Sequence, residues 1–170
     1  MADSIVILAL GSNLGDRFEH LQSALNALES VITIKKISSV YETPPFEMIA
    51  EQDFLNLCLL GKTNLEPLEL LEYCQELESK RGRSRSDLNK GYESRPLDID
   101  ILFYDDQVIL EELLKIPHPE INNRNFVLKP LNEIAPSYIH PVSKKSICSM
   151  WKEFKGERNI ERITGRIHSK

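Results

Sequence analysis

Apolar positions fall along the chain in runs and helical spacings that alternate in a simple order. Ser4 to Leu10 is apolar on both faces, the pattern of a central strand covered on two sides. Phe18, Leu21, Leu25 and Leu28 then recur at helical spacing behind Asp16, a good N-cap. Val31 to Tyr41 is rich in Ile, Val and Ser and reads as a second strand; Phe54 to Lys62 reads as a third. Between them, Pro44 and Pro45 forbid a central strand or helix and predict a stiff loop from Glu42 to Asp53. Leu68, Leu71, Cys74, Leu77 and Glu78 space a second helix, with Pro67 in its first turn and Arg81-Gly82 at its end. Arg95 to Leu102 is the fourth strand, β-branched and glycine-free, with a proline only at its entrance.

Beyond that strand the pattern predicts additions. Asp105-Asp106 makes a turn that leads a hairpin into Val108-Ile109-Leu110. Pro117-His118-Pro119 is extended and rigid. A short helix runs from Val127 to Ile134 before Pro136, a last one from Ile147 to Phe154, and Ile160 to Ile167 is a polar tail without an assignment. The core order of strand, helix, strand, strand, helix, strand is that of an α+β, ferredoxin-like split β-α-β sandwich. Its sheet is mostly antiparallel, with helices packed on its faces.

Two carboxylates break the fourth strand. In a strand, residues i and i+2 share a face, so Asp98 and Asp100 project together while Leu97, Ile99 and Ile101 turn to the core. Their Cα atoms lie roughly 6.5–7 Å apart. Two ionised carboxylates on one face repel and resist desolvation, so something cationic should cover them, a divalent metal or arginine. The alternative is the solvated face of an edge strand. Directly before them, Lys80 to Arg95 holds six basic residues (Lys80, Arg81, Arg83, Arg85, Lys90, Arg95) against Asp87 and Glu93, a local charge of +4. Glycines, serines and Asn89 make this stretch a mobile loop. Tethered to the aspartate strand, it points to an anionic partner. Asn56, between Leu55 and Leu57, needs hydrogen-bond partners, from the core or from a ligand. His118 is either a packed histidine or, with Arg124 nearby, a phosphate-facing one. Gly11-Ser12-Asn13-Leu14-Gly15 lacks the Gly-Lys-Ser/Thr and Gly-x-Gly-x-x-Gly patterns of phosphate loops and reads as a loop closing a strand onto a helix.

Composition narrows the classes. The 170 residues are 41% hydrophobic and 28% charged, ordinary for one soluble globular domain, taken here as residues 1–170. A net charge of −5 argues against general nucleic-acid affinity. Cys58, Cys74 and Cys148 have no metal-type spacing and cannot all pair, so they read as reduced thiols of a cytoplasmic protein. No secretory signal or membrane-length apolar run is present, and a monomer is expected.

These pieces compose into one chemistry. Mg²⁺ takes oxygen ligands, keeps several waters, and is shared between one or two carboxylates and substrate phosphates. Two such ions about 3.5–4 Å apart clamp the attacking and leaving oxygens of a displacement. Arginines supply bidentate contacts to phosphate, and a closing loop excludes water. Metal-assisted transfer from a nucleotide polyphosphate follows. A two-metal nucleotidyl transferase or nuclease would use the same aspartates, but would want a broad basic face. A non-enzymatic ferredoxin-like ligand-binding module would not need Asp98, Asp100, Arg83 and Arg95 together.

The chain resembles the 6-hydroxymethyl-7,8-dihydropterin pyrophosphokinase family over roughly residues 4–154. The resemblance is carried by Gly11-Ser12-Asn13-Leu14-Gly15-Asp16, Tyr41-Glu42-Thr43-Pro44-Pro45, Phe54-Leu55-Asn56, Gly82-Arg83-Ser84-Arg85 and Arg95-Pro96-Leu97-Asp98-Ile99-Asp100-Ile101-Leu102. Pro117-His118-Pro119, Arg124-Asn125-Phe126-Val127-Leu128 and Pro130-Leu131-Asn132-Glu133-Ile134-Ala135-Pro136 follow in the family's order. It implies transfer of the β,γ-pyrophosphate of ATP to the pterin hydroxymethyl group in folate biosynthesis, giving AMP. It implies two Mg²⁺ on Asp98 and Asp100, with Arg83 and Arg95 stabilising the transferred group. Gln75, Glu78, Arg83, Arg85, Ile101, His118 and Arg124 match nucleotide positions. Thr43, Pro44, Phe46, Phe54, Asn56 and Phe126 match the pterin pocket, with the two rings of Phe54 and Phe126 as a sandwich and Asn56 reading the pterin edge. Phe54 stands where a Tyr is common, and the loop from Arg85 to Arg95 lacks the Trp of shorter members, with Tyr92 as its substitute.

Overall fold

The computed structural model describes residues 3–45, 52–82, 94–163 and 167. Strand β1, Ser4–Ser12, lies between β4, Phe54–Thr63, and β5, Asp98–Tyr104. Two strands, β2 (Ile32–Ile37) and β3 (Val40–Thr43), line up along the far side of β4, and β8 (Glu161–Ile163) pairs with β3. Every pairing between these strands is antiparallel.

Helices cover both faces. Helix α1, Arg17–Leu28, is capped at Asp16, whose Oδ1 accepts the N–H of Glu19 at 3.0 Å. Helix α2, Pro67–Lys80, starts on its proline and stops before Gly82, whose φ of 101° suits a residue without a side chain. Leu21, Leu25 and Leu28 of α1 and Leu70, Cys74 and Leu77 of α2 form one core with Leu8, Leu57, Ile99 and Ile101. Helices α3, Asn125–Ile134, and α4, Ile147–Glu153, form the second core on the opposite face with Ile7, Cys58, Leu102 and Phe103. One extra residue in β5 makes this possible. Ile101 faces Leu8 and Phe103 faces Ile7, so Leu102 is a bulge, and Leu102 and Phe103 both join the second core.

Four expectations change. The stretch Val31 to Tyr41 is two strands, not one. Ser38, buried at the break, accepts the N–H of Cys58 on its Oγ at 2.9 Å and donates its own N–H to Cys58 O at 2.9 Å. The turn at Asp105 forms, but Ile109–Leu110 (β6) pairs with Lys115–Ile116 (β7) rather than with β5. In α2, Cys74, Leu77 and Glu78 are buried as the spacing predicts, but in the first turn the inward residue is Leu70, while Leu68 is 44% exposed. The tail left without an assignment is the edge strand β8. The three cysteines are free thiols, and burial pushes that of Cys74 up to about 12. No helix among the described residues is long and apolar enough to cross a membrane.

Candidate active site

The chemistry gathers on the α3 face of the sheet, at the end where β1 finishes and β4 and β5 begin. Register places Asp98 opposite Gly11, Gly11 opposite Asn56, and Asn56 opposite Tyr41. The next row holds Asp100, Ala9 and Cys58. Residues directly opposed in an antiparallel sheet share a face. The two carboxylates and Asn56 therefore stand on one floor, Asp98 and Asn56 two strands and roughly 10 Å apart at their Cα atoms. Gly11 keeps the middle of that floor open. A Cβ there would lie 3.1 Å from Asn56 Oδ1 and 3.7 Å from Phe54 Cδ1.

Both aspartates are partly exposed and both have cationic neighbours. Arg95 Nη1 lies 3.1 Å from Asp98 Oδ1, and Arg124 Nη1 lies 3.8 Å from Asp100 Oδ2. These contacts offset the repulsion of two carboxylates on one face. His118 Nε2 is 3.8 Å from Asp100 Oδ1. Burial above all, and then the Arg124 charge, hold the His118 pKa down at about 4, against the pull of Asp98 and Glu120. The ring is thus neutral at physiological pH and its approach to Asp100 is not an ion pair. Its Nδ1 accepts the N–H of Glu120 at 3.2 Å, which leaves the proton on Nε2, facing the carboxylate.

Across Gly11 lies an aromatic and amide side. Phe54, Asn56 and Cys58 share a face of β4 by alternation, and Thr43 sits opposite Phe54. Buried Asn56 donates from Nδ2 to Thr43 Oγ1 at 3.0 Å, which answers part of its demand for partners within the protein. Exposed Pro44 follows Thr43. Helix α3 supplies the opposite wall. Val127, Leu128, Leu131 and Ile134 bury its inner face, which holds Arg124 and Phe126 at its start, the Arg124 guanidinium 5.7 Å from the Phe126 ring centre. Tyr41 donates its hydroxyl to Glu133 Oε2 at 2.7 Å, while Ser39 donates its N–H and hydroxyl to Glu133 Oε1, both at 2.9 Å. This clamp ties β3 to α3 beneath the site. Burial, then the Glu133 bond, push the Tyr41 hydroxyl up to about 12.

Three expected residues stand apart from the floor. Ile101 is 4% exposed and its side chain lies in the first core, away from the aspartates. Glu78 is buried on α2, and its Oε1 accepts the N–H of Ile99 at 2.7 Å. Gln75 is exposed on the same helix. Phe46, Arg83, Arg85 and Tyr92 lie outside the described residues. Two residues that sequence reasoning left without a role belong to the site: Gly11, which opens the floor, and Asn13, 1% exposed, which is bonded to Arg95. Both sit in the glycine-serine-asparagine run, the one signal that pointed to them.

Among the described residues, no cluster of three or more His, Cys, Asp or Glu could hold a metal ion by itself. The donor set of Asp98 and Asp100 suits a hard, oxygen-liganded ion that completes its shell with water and phosphate, as Mg²⁺ does.

Residues 7–136 match the family described as 7,8-dihydro-6-hydroxymethylpterin-pyrophosphokinase. A 2-amino-4-hydroxy-6-hydroxymethyldihydropteridine pyrophosphokinase of Aquifex aeolicus is 42% identical over 156 residues, 92% of this chain and 93% of that one. A protein of the same description from Bacillus subtilis is 41% identical over 134 residues, 78% of each. Fusion proteins also match; the chain spans 21% of a folic acid synthesis protein of Dictyostelium discoideum at 38% identity. A solved HPPK-DHPS structure from Plasmodium falciparum superposes with a TM-score of 0.74 at 20% identity, over 90% of this chain and 46% of that one. At that identity the likeness speaks for the fold, a ferredoxin-like α+β sandwich. With the family match over residues 7–136 and a relative 42% identical over 92% of this chain, the chain belongs to the 7,8-dihydro-6-hydroxymethylpterin-pyrophosphokinase family, enzymes that transfer pyrophosphate in folate biosynthesis.

Proposed function

We propose that the chain, acting as a single-domain monomer, transfers the β,γ-pyrophosphate of ATP to 6-hydroxymethyl-7,8-dihydropterin, giving AMP and the pterin diphosphate. The observation that carries this reading is the single floor on which Asp98 and Asp100 stand beside Asn56, with Gly11 open between them. Asn56, Thr43 and Phe54 bind and orient the flat pterin, with Phe126 from α3 as the opposing ring, a geometry that suits aromatic stacking. Its hydroxymethyl group then points toward the aspartates. Asp98 and Asp100 would hold two Mg²⁺ ions, which would supply charge neutralisation to the phosphates and make the hydroxyl a better nucleophile. The hydroxyl oxygen forms a bond to the β-phosphorus, the bond from that phosphorus to the α,β-bridging oxygen breaks, AMP departs with that oxygen, and the hydroxyl proton passes to solvent water. Such a step needs positioning and electrostatics more than a protein nucleophile. Arg83 and Arg95 stabilise the transferred group, Arg85 binds the nucleotide, and Arg124 and neutral His118, beside Asp100, contact its phosphates.

The test is incubation with ATP, Mg²⁺ and the hydroxymethyl-dihydropterin, followed by separation of the nucleotides. AMP is expected in step with pterin consumption. ADP as the product would mean γ-phosphoryl transfer and overturn the reaction class.

A further inference from the structure

Strands β1 and β5 pair as far as Gly11 and Asp98, and past that point the ladder has no regular continuation. Pro96 has no N–H to offer, so the chain entering β5 cannot be held by ordinary strand bonds there. A side chain takes over. Asn13 Oδ1 accepts the N–H of Arg95 at 2.6 Å, and the Asn13 N–H donates to Arg95 O at 3.0 Å. Asn13 Nδ2 also reaches Ser94 Oγ at 3.4 Å. The asparagine is 1% exposed, so these bonds are shielded from water. One step on, the Arg95 guanidinium meets Asp98.

We infer that Asn13 is a positioning residue for Arg95: by closing a ring of hydrogen bonds on the Arg95 peptide, it fixes where that guanidinium stands relative to Asp98. The inference rests on the transfer reaction proposed above. Asn13 is buried, and its bonds go to the Ser94–Arg95 segment. It acts through Arg95, and its loss should fall on the chemical step more than on binding.

Three measurements test this. First, Asn13→Ala should lower kcat by roughly ten- to a hundredfold, as small misplacements of catalytic groups do, while KM for ATP and pterin each move less than about threefold. Second, in an Arg95→Ala background the added Asn13→Ala change should cost less than about twofold, because residues acting through one contact are not additive. Losses that multiply, or a defect confined to KM, would overturn the role. Third, the Arg95 amide should exchange slowly with solvent in the resting wild-type protein and much faster in Asn13→Ala. This readout needs no substrate. A fast Arg95 amide in the wild type removes the anchor whatever the activity, whereas a wild type that makes no AMP removes the reaction and leaves the exchange result standing.

Discussion

Asp98 and Asp100 are a like-charged pair that the fold keeps half-exposed and surrounds with Arg95, Arg124 and a neutral imidazole. On the proposed metal role, replacing either by alanine should lower Mg²⁺-dependent AMP formation by about a hundredfold or more, because the ions would lose a ligand. Circular dichroism and thermal unfolding should stay close to wild type, since neither side chain lies in a core. Full turnover by either variant would remove the metal role. His118 gives a second expectation. Its folded pKa of about 4 lies below the ordinary 6.5, so the unfolded chain takes up this proton first. The stability that neutral His118 contributes is therefore complete above pH about 6.5 and is lost as pH falls toward 4. His140 shifts in the same direction by burial, so a global unfolding curve would mix the two. The ring resonances of His118, followed by NMR, separate them, and a midpoint near 6.5 would contradict its buried setting. At this scale the sequence was informative wherever the signal was local. A two-residue alternation was enough to put both aspartates on one face and to call for a cation over them. Asn13 was not legible in this way, because its partner is the peptide of Arg95, 82 positions on.

Among the elements, β5 shows how an edge strand is finished. On the side away from β1, its Ile99 N–H goes to Glu78 and its Leu102 carbonyl accepts the N–H of His118. Unpaired edge groups invite association with another chain, and here a buried carboxylate and a proline-flanked loop take them up. Removing the acceptor by Glu78→Ala should leave the Ile99 amide buried without a partner and cost about 1–3 kcal/mol of stability, measured by denaturant unfolding. Glu78→Gln keeps an acceptor and should retain most of that stability. An alanine variant as stable as wild type would show that this bond contributes nothing to the fold. The elements misread from the pattern have physical causes of the same non-local kind. Three leucines, Leu68, Leu70 and Leu71, fall within one turn of α2, so spacing leaves the phase of the helix open until the sheet selects Leu70. The break between β2 and β3 is set by Ser38 bonding across to Cys58. The turn after β5 was visible in Asp105-Asp106, but the partner of Ile109 was not, since Lys115–Ile116 offers only two residues of strand.

Among the described residues, the six-stranded antiparallel sheet lies between two cores, with the β6–β7 ribbon beside it and the candidate site at one end of the face that α3 covers. The segment after α4 belongs to this arrangement although it lies beyond the family match. Asn125, between Arg124 and Phe126, donates from Nδ2 to Glu157 O at 2.7 Å, and Lys129 Nζ reaches Ile160 O at 3.3 Å. Strand β8 then pairs Arg162 with Tyr41, in the row that carries Asn56. Ending the chain before Glu157 should loosen β3 and the start of α3 together. Amide exchange should rise at Val40–Glu42 and at the first turn of α3, while β1 and β5 stay protected. Uniform protection in the shortened chain would show that the tail is not a brace. The core order of strands and helices as far as β5, the cap at Asp16 and the shared face of the two aspartates were legible along the chain. Each depends on residues within a few positions of one another, and local spacing carries their physics. Which face of the sheet received α3, which strand took up the tail, and which side chain held Arg95 depended on contacts between residues tens of positions apart. Those choices are made by burial and by the need to pair every shielded N–H and carbonyl, demands that come into force only when the chain is packed.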